Sequence, residues 1–193
     1  MKRRNALALL LAATAGTRAN ANQVRVLASA GETRLPAEVA ASLPGARLIG
    51  SGRLSFWGLP VYDARLWAAD EVNPAEYAGT ALAIEVEYAR SLGGAQIAER
   101  SLDEMKRSGT LAADTGERWL ATMKQLFPDV NRGDRITGVL LPGAGSRFYA
   151  NGMQRGEVRD GEFTRRFFGI WLAPGTSEPK LRAALLGSRR SAS

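Results

Sequence analysis

Chemistry near neutral pH leans on a few side chains, and this chain lacks most of them. Its 193 residues include neither Cys nor His. That removes thiol nucleophiles, Ser-His pairs and the usual ligands of zinc, copper and haem. An all-oxygen calcium or magnesium site needs neither residue, but no run resembles the Asp-x-Asp-x-Asp-Gly loop. Asp103-Glu104 stands beside Lys106 and Arg107 and reads as a solvated helix face. Pro142-Gly143-Ala144-Gly145 is a turn and not a phosphate loop, because no Lys-Ser/Thr and no helix follow it. No catalytic residue, metal ligand or cofactor is therefore assigned. Two residues keep an interest for binding. Arg53 lies on an alternating stretch with Ile49, Ser51 and Ser55, and Tyr62 lies on the next such stretch. An arginine here is either exposed, paired with Asp63 or Glu85, or turned into an apolar recess. In the last case it needs an anion, since an unpaired buried charge is very costly. A carboxylate would take two parallel hydrogen bonds from one guanidinium. Tyr62 is either an ordinary tyrosine at the edge of the core or a further donor to that anion.

The elements that would carry these residues follow from periodicity. Arg47 to Phe56 alternates with period two, and so does Val61 to Ala68, with Tyr62, Ala64 and Leu66 on one face. Trp57-Gly58-Leu59-Pro60 between them is a turn, so the two form a hairpin. Leu82 to Tyr88 is the clearest strand, with Leu82, Ile84, Val86 and Tyr88 packed and Ala83, Glu85 and Glu87 wet. The period then becomes helical. Gly94 to Ser108 carries Ile97, Ser101, Leu102 and Met105 on one stripe, with Arg100–Glu104 and Asp103–Arg107 as i,i+4 pairs. Thr115 to Phe127 is a second helix, with Thr115 as a cap and Pro128 as its stop. Asp134 to Leu141, Ser146 to Ala150 and Gly156 to Val158 are strands separated by hairpin turns. Asp160 caps a helix whose inward stripe is Phe163, Phe167, Ile170 and Trp171, and Ser177 caps a last short one. Trp119 and these aromatic residues read as core. Before Arg47 the signal is weak: a short strand at Val24 to Leu27, and a loop or helical turn at Pro36 to Ser42. Strands in runs joined by tight turns, alternating with one-sided helices, predict an α+β fold: an antiparallel sheet covered on one face by helices.

The first residues have another logic. Met1-Lys2-Arg3-Arg4 is cationic, Ala6 to Gly16 is apolar, and Ala19-Asn20-Ala21 is a small-x-small sequence. This is the layout of a secretory signal peptide over 1–21, cleaved near Ala21. The apolar run is too short to span a bilayer, which takes about 20 residues. A periplasmic or secreted chain is expected, with no transmembrane segment after cleavage. The domain then covers 22–187 and a disordered tail 188–193. Cleavage removes Lys2, Arg3, Arg4 and Arg18 and no acid, lowering the formal charge from +7 to +3. The remaining charges are scattered and form no basic stripe, so no nucleic-acid partner is expected.

An ordered set of motifs now resembles a known family. Gly50-Ser51-Gly52-Arg53, Val61-Tyr62-Asp63-Ala64-Arg65-Leu66-Trp67 and the Glu99-Arg100-Ser101 to Met105 helix are similar to bacterial chalcone isomerase-like proteins. So are Phe127-Pro128-Asp129 with Gly133-Asp134, and Phe167-Phe168-Gly169-Ile170-Trp171-Leu172 followed by Ser177-Glu178-Pro179. The resemblance runs from about Leu48 to Gly187. It implies an open-faced β-sandwich with a ligand cleft between sheet and helices. The family includes plant chalcone isomerases and plant proteins that bind fatty acids, and in both a strand arginine faces the cleft. Arg53 matches it, and Tyr62 matches the tyrosine that joins it in the fatty-acid binders. The isomerases' helical tyrosine and asparagine fall on Ile97 and Glu104. Their strand threonine falls on Tyr62, and a second threonine falls near Gly169 or Ile170. Ring-closing catalysis loses its polar partners by this match. The resemblance thus implies a non-catalytic protein binding a small apolar carboxylic acid, such as a fatty acid, through Arg53 and Tyr62. The alternatives are a chalcone-type isomerase (an intramolecular lyase) and an envelope protein-interaction module with an unknown protein partner.

Overall fold

A computed structural model of the protein describes residues 34–187. The expected signal peptide over 1–21, the expected strand at Val24 to Leu27 and the expected tail 188–193 lie outside the described residues. A short helix α1 (Ala37–Ser42) leads into β1 (Arg47–Phe56) and β2 (Leu59–Ala68). A 3₁₀ turn at Tyr77–Gly79 precedes β3 (Leu82–Tyr88). Two helices follow, α2 (Gly94–Lys106) and α3 (Ala113–Leu126). The chain then returns through β4 (Arg135–Leu141), β5 (Gly145–Ala150) and β6 (Met153–Val158), and ends in α4 (Gly161–Leu172) and α5 (Pro179–Leu185). The six strands lie in sequence order, every neighbouring pair antiparallel. The α+β expectation holds, and no helix among the described residues is long and apolar enough to cross a membrane.

Register explains which side chains face which layer. Tyr62 pairs with Tyr88, Ala64 with Val86 and Leu66 with Ile84 across β2 and β3. Val86 in turn pairs with Ile136, and Ile84 with Gly138. These residues share one face, and α2 to α5 pack on it through Ala98, Met105, Met123, Phe163, Phe167 and Leu185. A cluster of aromatic rings sits at its centre. Phe148 meets Phe167 edge-on at 5.0 Å, and Phe163 stacks on Phe167 at 5.7 Å. Gly138 makes room for it: a Cβ there would sit 3.3 Å from Phe168 and 3.4 Å from Phe148. At the other end α5 lies almost on the backbone of β1, since a Cβ on Gly50 would come within 2.2 Å of the Ala184 carbonyl oxygen.

Some local expectations need correction. The Arg47 to Phe56 strand does not alternate cleanly, because bulges fall at Leu48/Gly50 and Leu54/Ser55. Only Trp57 and Gly58 form the hairpin turn; Leu59 and Pro60 already belong to β2. Helix α3 starts before Thr115, with Ala112 in the cap position, and Glu178 rather than Ser177 takes the cap position of α5, without a side-chain capping bond. Asp160 does cap α4, accepting from the backbone N–H of Glu162 and Phe163 at 2.9 Å each. It also accepts from the Trp119 indole at 3.0 Å, which ties α3 to α4. The turn after α2 is pinned by buried Arg166, whose guanidinium donates to the carbonyls of Gly109 and Thr110.

The second face of the sheet is also covered at its centre. Helix α1 sets Val39 and Leu43 against Trp67, Ala83, Val139 and Tyr149. Glu85, expected to be wet, is therefore only 3% exposed. It accepts from the Trp67 indole at 3.0 Å and from Arg135 at 2.9 Å. Buried Glu38 of α1 accepts from Thr137 at 3.0 Å.

Candidate functional site

Between the sheet and helices α2 and α4 lies a cavity of about 450 Å³. The strands supply Leu54, Val61, Ile84, Val86 and Ile136 to its wall. The helices supply Ile97, Phe167, Ile170 and Trp171, and Phe127, just after α3, adds to the wall. Most of this wall is aliphatic or aromatic, so it offers little to a polar guest beyond a few identifiable groups.

Tyr62 is the first of those groups. Its ring is partly buried against the core, edge-on to Tyr88 with centroids 6.2 Å apart. Its hydroxyl accepts from the Trp171 indole N–H at 3.1 Å, so its own proton remains to be donated. Burial pushes this phenol up to about 12; the Trp171 hydrogen bond opposes that, while the charges of Glu178 and Glu104 reinforce it. Burial raises the Tyr88 phenol as well, and its hydroxyl forms no hydrogen bond among the described residues. Both tyrosines are therefore neutral donors at physiological pH.

Four charged residues, Arg90, Arg100, Glu104 and Glu178, also line the cavity. Glu104, expected on a solvated helix face, has a side chain only 9% exposed and lines the cavity. The α2 helix turns it inward beside buried Met105, while Asp103 stays outside and reaches Lys106. Glu104 pairs with Arg100 as expected, and Arg107 approaches it at 3.6 Å instead of pairing with Asp103. Its Oε2 is buried and lacks a hydrogen bond among the described residues. Arg90, just beyond β3, also lines the cavity. It forms no ion pair among the described residues.

Arg53 is not part of the site. It is paired in register with Asp63, while its neighbour Leu54 is paired with Tyr62. Successive strand residues face opposite ways, so Leu54 and Tyr62 point into the cavity and Arg53 and Asp63 point out. The Arg53 side chain is 57% exposed and holds both Asp63 oxygens, at 2.7 and 2.8 Å. The expected Arg53–Tyr62 pair is thus split across the sheet. The resemblance matches Arg53 by its place after Gly-x-Gly, but alternation runs unbroken from Gly50 to Leu54 and sets Arg53 on the face opposite Leu54. Tyr88 was legible as a packed strand residue, but nothing local marked Arg90. Of the positions matched to the isomerases' polar set, Tyr62, Ile97, Glu104 and Ile170 line the cavity, and Gly169, the other position matched to the last threonine, does not.

A second recess of about 470 Å³ surrounds the β4–β5 turn. Its wall includes Arg147, Arg159 and Glu157, which already pair with one another. Leu140, Leu141 and Pro142 also line it, but its wall is far more polar than that of the first.

Comparison with known proteins agrees with this architecture. The chain is 31% identical over 110 residues to an uncharacterized protein of Haemophilus influenzae, across 57% of this chain and 54% of that protein. It thus spans about half the length of that relative. Its fold resembles the crystal structure of a fatty-acid binding protein from Arabidopsis thaliana, with a TM-score of 0.61 and 16% sequence identity. That match covers 75% of this chain and 88% of the plant protein. The family model described as chalcone isomerase-like matches residues 30–187, and the chain belongs to the chalcone isomerase-like family.

Proposed function

We propose that this protein binds a small apolar carboxylic acid, such as a fatty acid, in the cavity between sheet and helices, without converting it. The observation that carries the reading is the cavity itself: about 450 Å³ of mostly apolar wall with two neutral tyrosine donors inside. The size falls in the range of ligand pockets, roughly 300–1,000 Å³. Burial of each methylene of an acyl chain would contribute about 0.8 kcal/mol. The carboxylate belongs beside Arg90, since Glu104 and Glu178 make the surroundings of Tyr62 unfavourable for a second negative charge. Arg90 thus takes the role that the family resemblance implied for Arg53. Against turnover stands Ile97, which brings no proton donor to the position matched to the isomerases' tyrosine. The fold shared with a fatty-acid binding protein is consistent with this reading.

The test is binding of a fluorescent fatty acid to delipidated protein. Arg90→Ala should weaken it about ten-fold, the effect of losing a charge-assisted hydrogen bond. Arg53→Ala should bind like the wild type. Equal binding by Arg90→Ala would reject the carboxylate placement, and no uptake of any apolar acid would reject the function. A chalcone incubated with the protein should keep its absorbance; its loss would establish isomerase activity instead. We further propose export to the periplasm or medium with cleavage after Ala21, checked by the mass of the mature chain.

A further inference from the structure

Three large apolar side chains stand in solvent at one place. Phe56 is 65% exposed, Trp57 90% and Leu59 63%. All three belong to the tip of the β1–β2 hairpin, where Phe56 pairs with Leu59 around Trp57-Gly58. The turn sets φ at 53° for Trp57 and 78° for Gly58. This is the two-residue hairpin loop that Asn-Gly fits best, and a bulky residue there is strained. A turn shaped for folding alone favours Asn at that position, so an exposed tryptophan there calls for another explanation.

The shape and surroundings of the tip indicate what it meets. It is a convex wedge of a few residues, far short of the roughly 800 Å² per partner of a standard protein interface. Phe56 is both exposed and part of the cavity wall, so the wedge adjoins the cavity's rim. The backbone N–H of Ala89 donates at 2.9 Å to the carbonyl of Val61, two residues past the tip residue Leu59, which brings exposed Arg90 out beside the tip end of the hairpin. An apolar wedge headed by tryptophan, next to a cation free of any acid among the described residues, matches a membrane interface. Indole rings settle at headgroup level and arginines are drawn to anionic lipids.

We propose that the β1–β2 hairpin tip docks this protein onto anionic lipid surfaces and turns the rim of its cavity toward the bilayer. Docking is separable from occupancy of the cavity, because neither Trp57 nor Leu59 lines it. The experiment is flotation of the full chain with phosphatidylcholine vesicles, with and without phosphatidylglycerol. The wild type should float with the anionic vesicles and bind the neutral ones more weakly. The double variant Trp57→Asn/Leu59→Thr keeps a favourable turn residue at position 57 and should lose at least about ten-fold in partitioning. Brominated lipid should quench fluorescence in the wild type, with the quench reduced in Trp57→Phe while flotation persists. The proposal falls if the wild type stays in solution, or if the double variant floats equally well, which would move membrane binding elsewhere in the chain. It also falls if sedimentation without vesicles shows a self-association that the double variant abolishes, since the tip is then an interface between copies. Uptake of the fluorescent fatty acid in vesicle-free solution should be the same for both proteins. Its absence in the wild type would end the ligand-binding reading and leave the flotation result standing.

Discussion

The two faces of the sheet bury polar groups in opposite ways. On the face under α1, Glu85, Glu38, Trp67 and Thr137 satisfy one another within hydrogen-bonding distance, and Val39 and Val139 fill the space between them. On the face under α2 and α4, Tyr88 has no partner for its hydroxyl among the described residues, Tyr62 keeps a donor in reserve, and a void remains. The first arrangement is what a stable core requires, since unsatisfied buried groups are costly. The second leaves free energy available to a guest that supplies the missing contacts. The difference separates scaffold from site without any appeal to sequence motifs.

That contrast can be broken at its strongest point. Glu85→Ala strips the Trp67 indole and Arg135 of their acceptor and should destabilise the fold by about 3 kcal/mol or more in urea titration, with ligand uptake by the folded fraction intact. An unchanged urea midpoint would mean the outer network is not holding α1 and the sheet together. A matched pair of enlargements sharpens the contrast. Val139→Phe crowds the filled face and should cost about 1–3 kcal/mol. Val86→Phe grows into the cavity, should cost less than about 1 kcal/mol, and should abolish fatty-acid uptake. Equal costs would mean that the cavity is not open space.

The smallest effect concerns Tyr62. Its phenol is raised by burial from 10.0 to about 12, so the folded state holds this proton more tightly than the unfolded chain. The resulting stability is complete below pH 10, declines as pH rises, and is gone above the folded value. Wild-type stability should therefore fall between about pH 10 and 12, more steeply than that of Tyr62→Phe. Tyr88 pulls in the same direction in both proteins. At pH 7 the substitution should cost only about 1 kcal/mol, one hydrogen bond to Trp171. Parallel pH profiles would show that Tyr62 is more solvated than its packing implies.

Sequence alone determined the elements. The alternation of Leu82 to Tyr88, the stripe from Phe163 to Trp171 and the Asp160 cap are local signals, because periodicity and capping act over a few residues. Their order also determined the α+β class, and the motif set pointed to the right family. Tertiary structure decided which way each face looks and what stands across from it. Arg53 went to Asp63 because strand register set the two opposite each other on the face turned away from the cavity. Glu85 became buried because α1, a weak local signal, folded over it. Glu104 and Arg90 reached the cavity through contacts between elements remote in the chain. Such pairings depend on what another layer brings to the same point in space, and short-range residue patterns do not encode that.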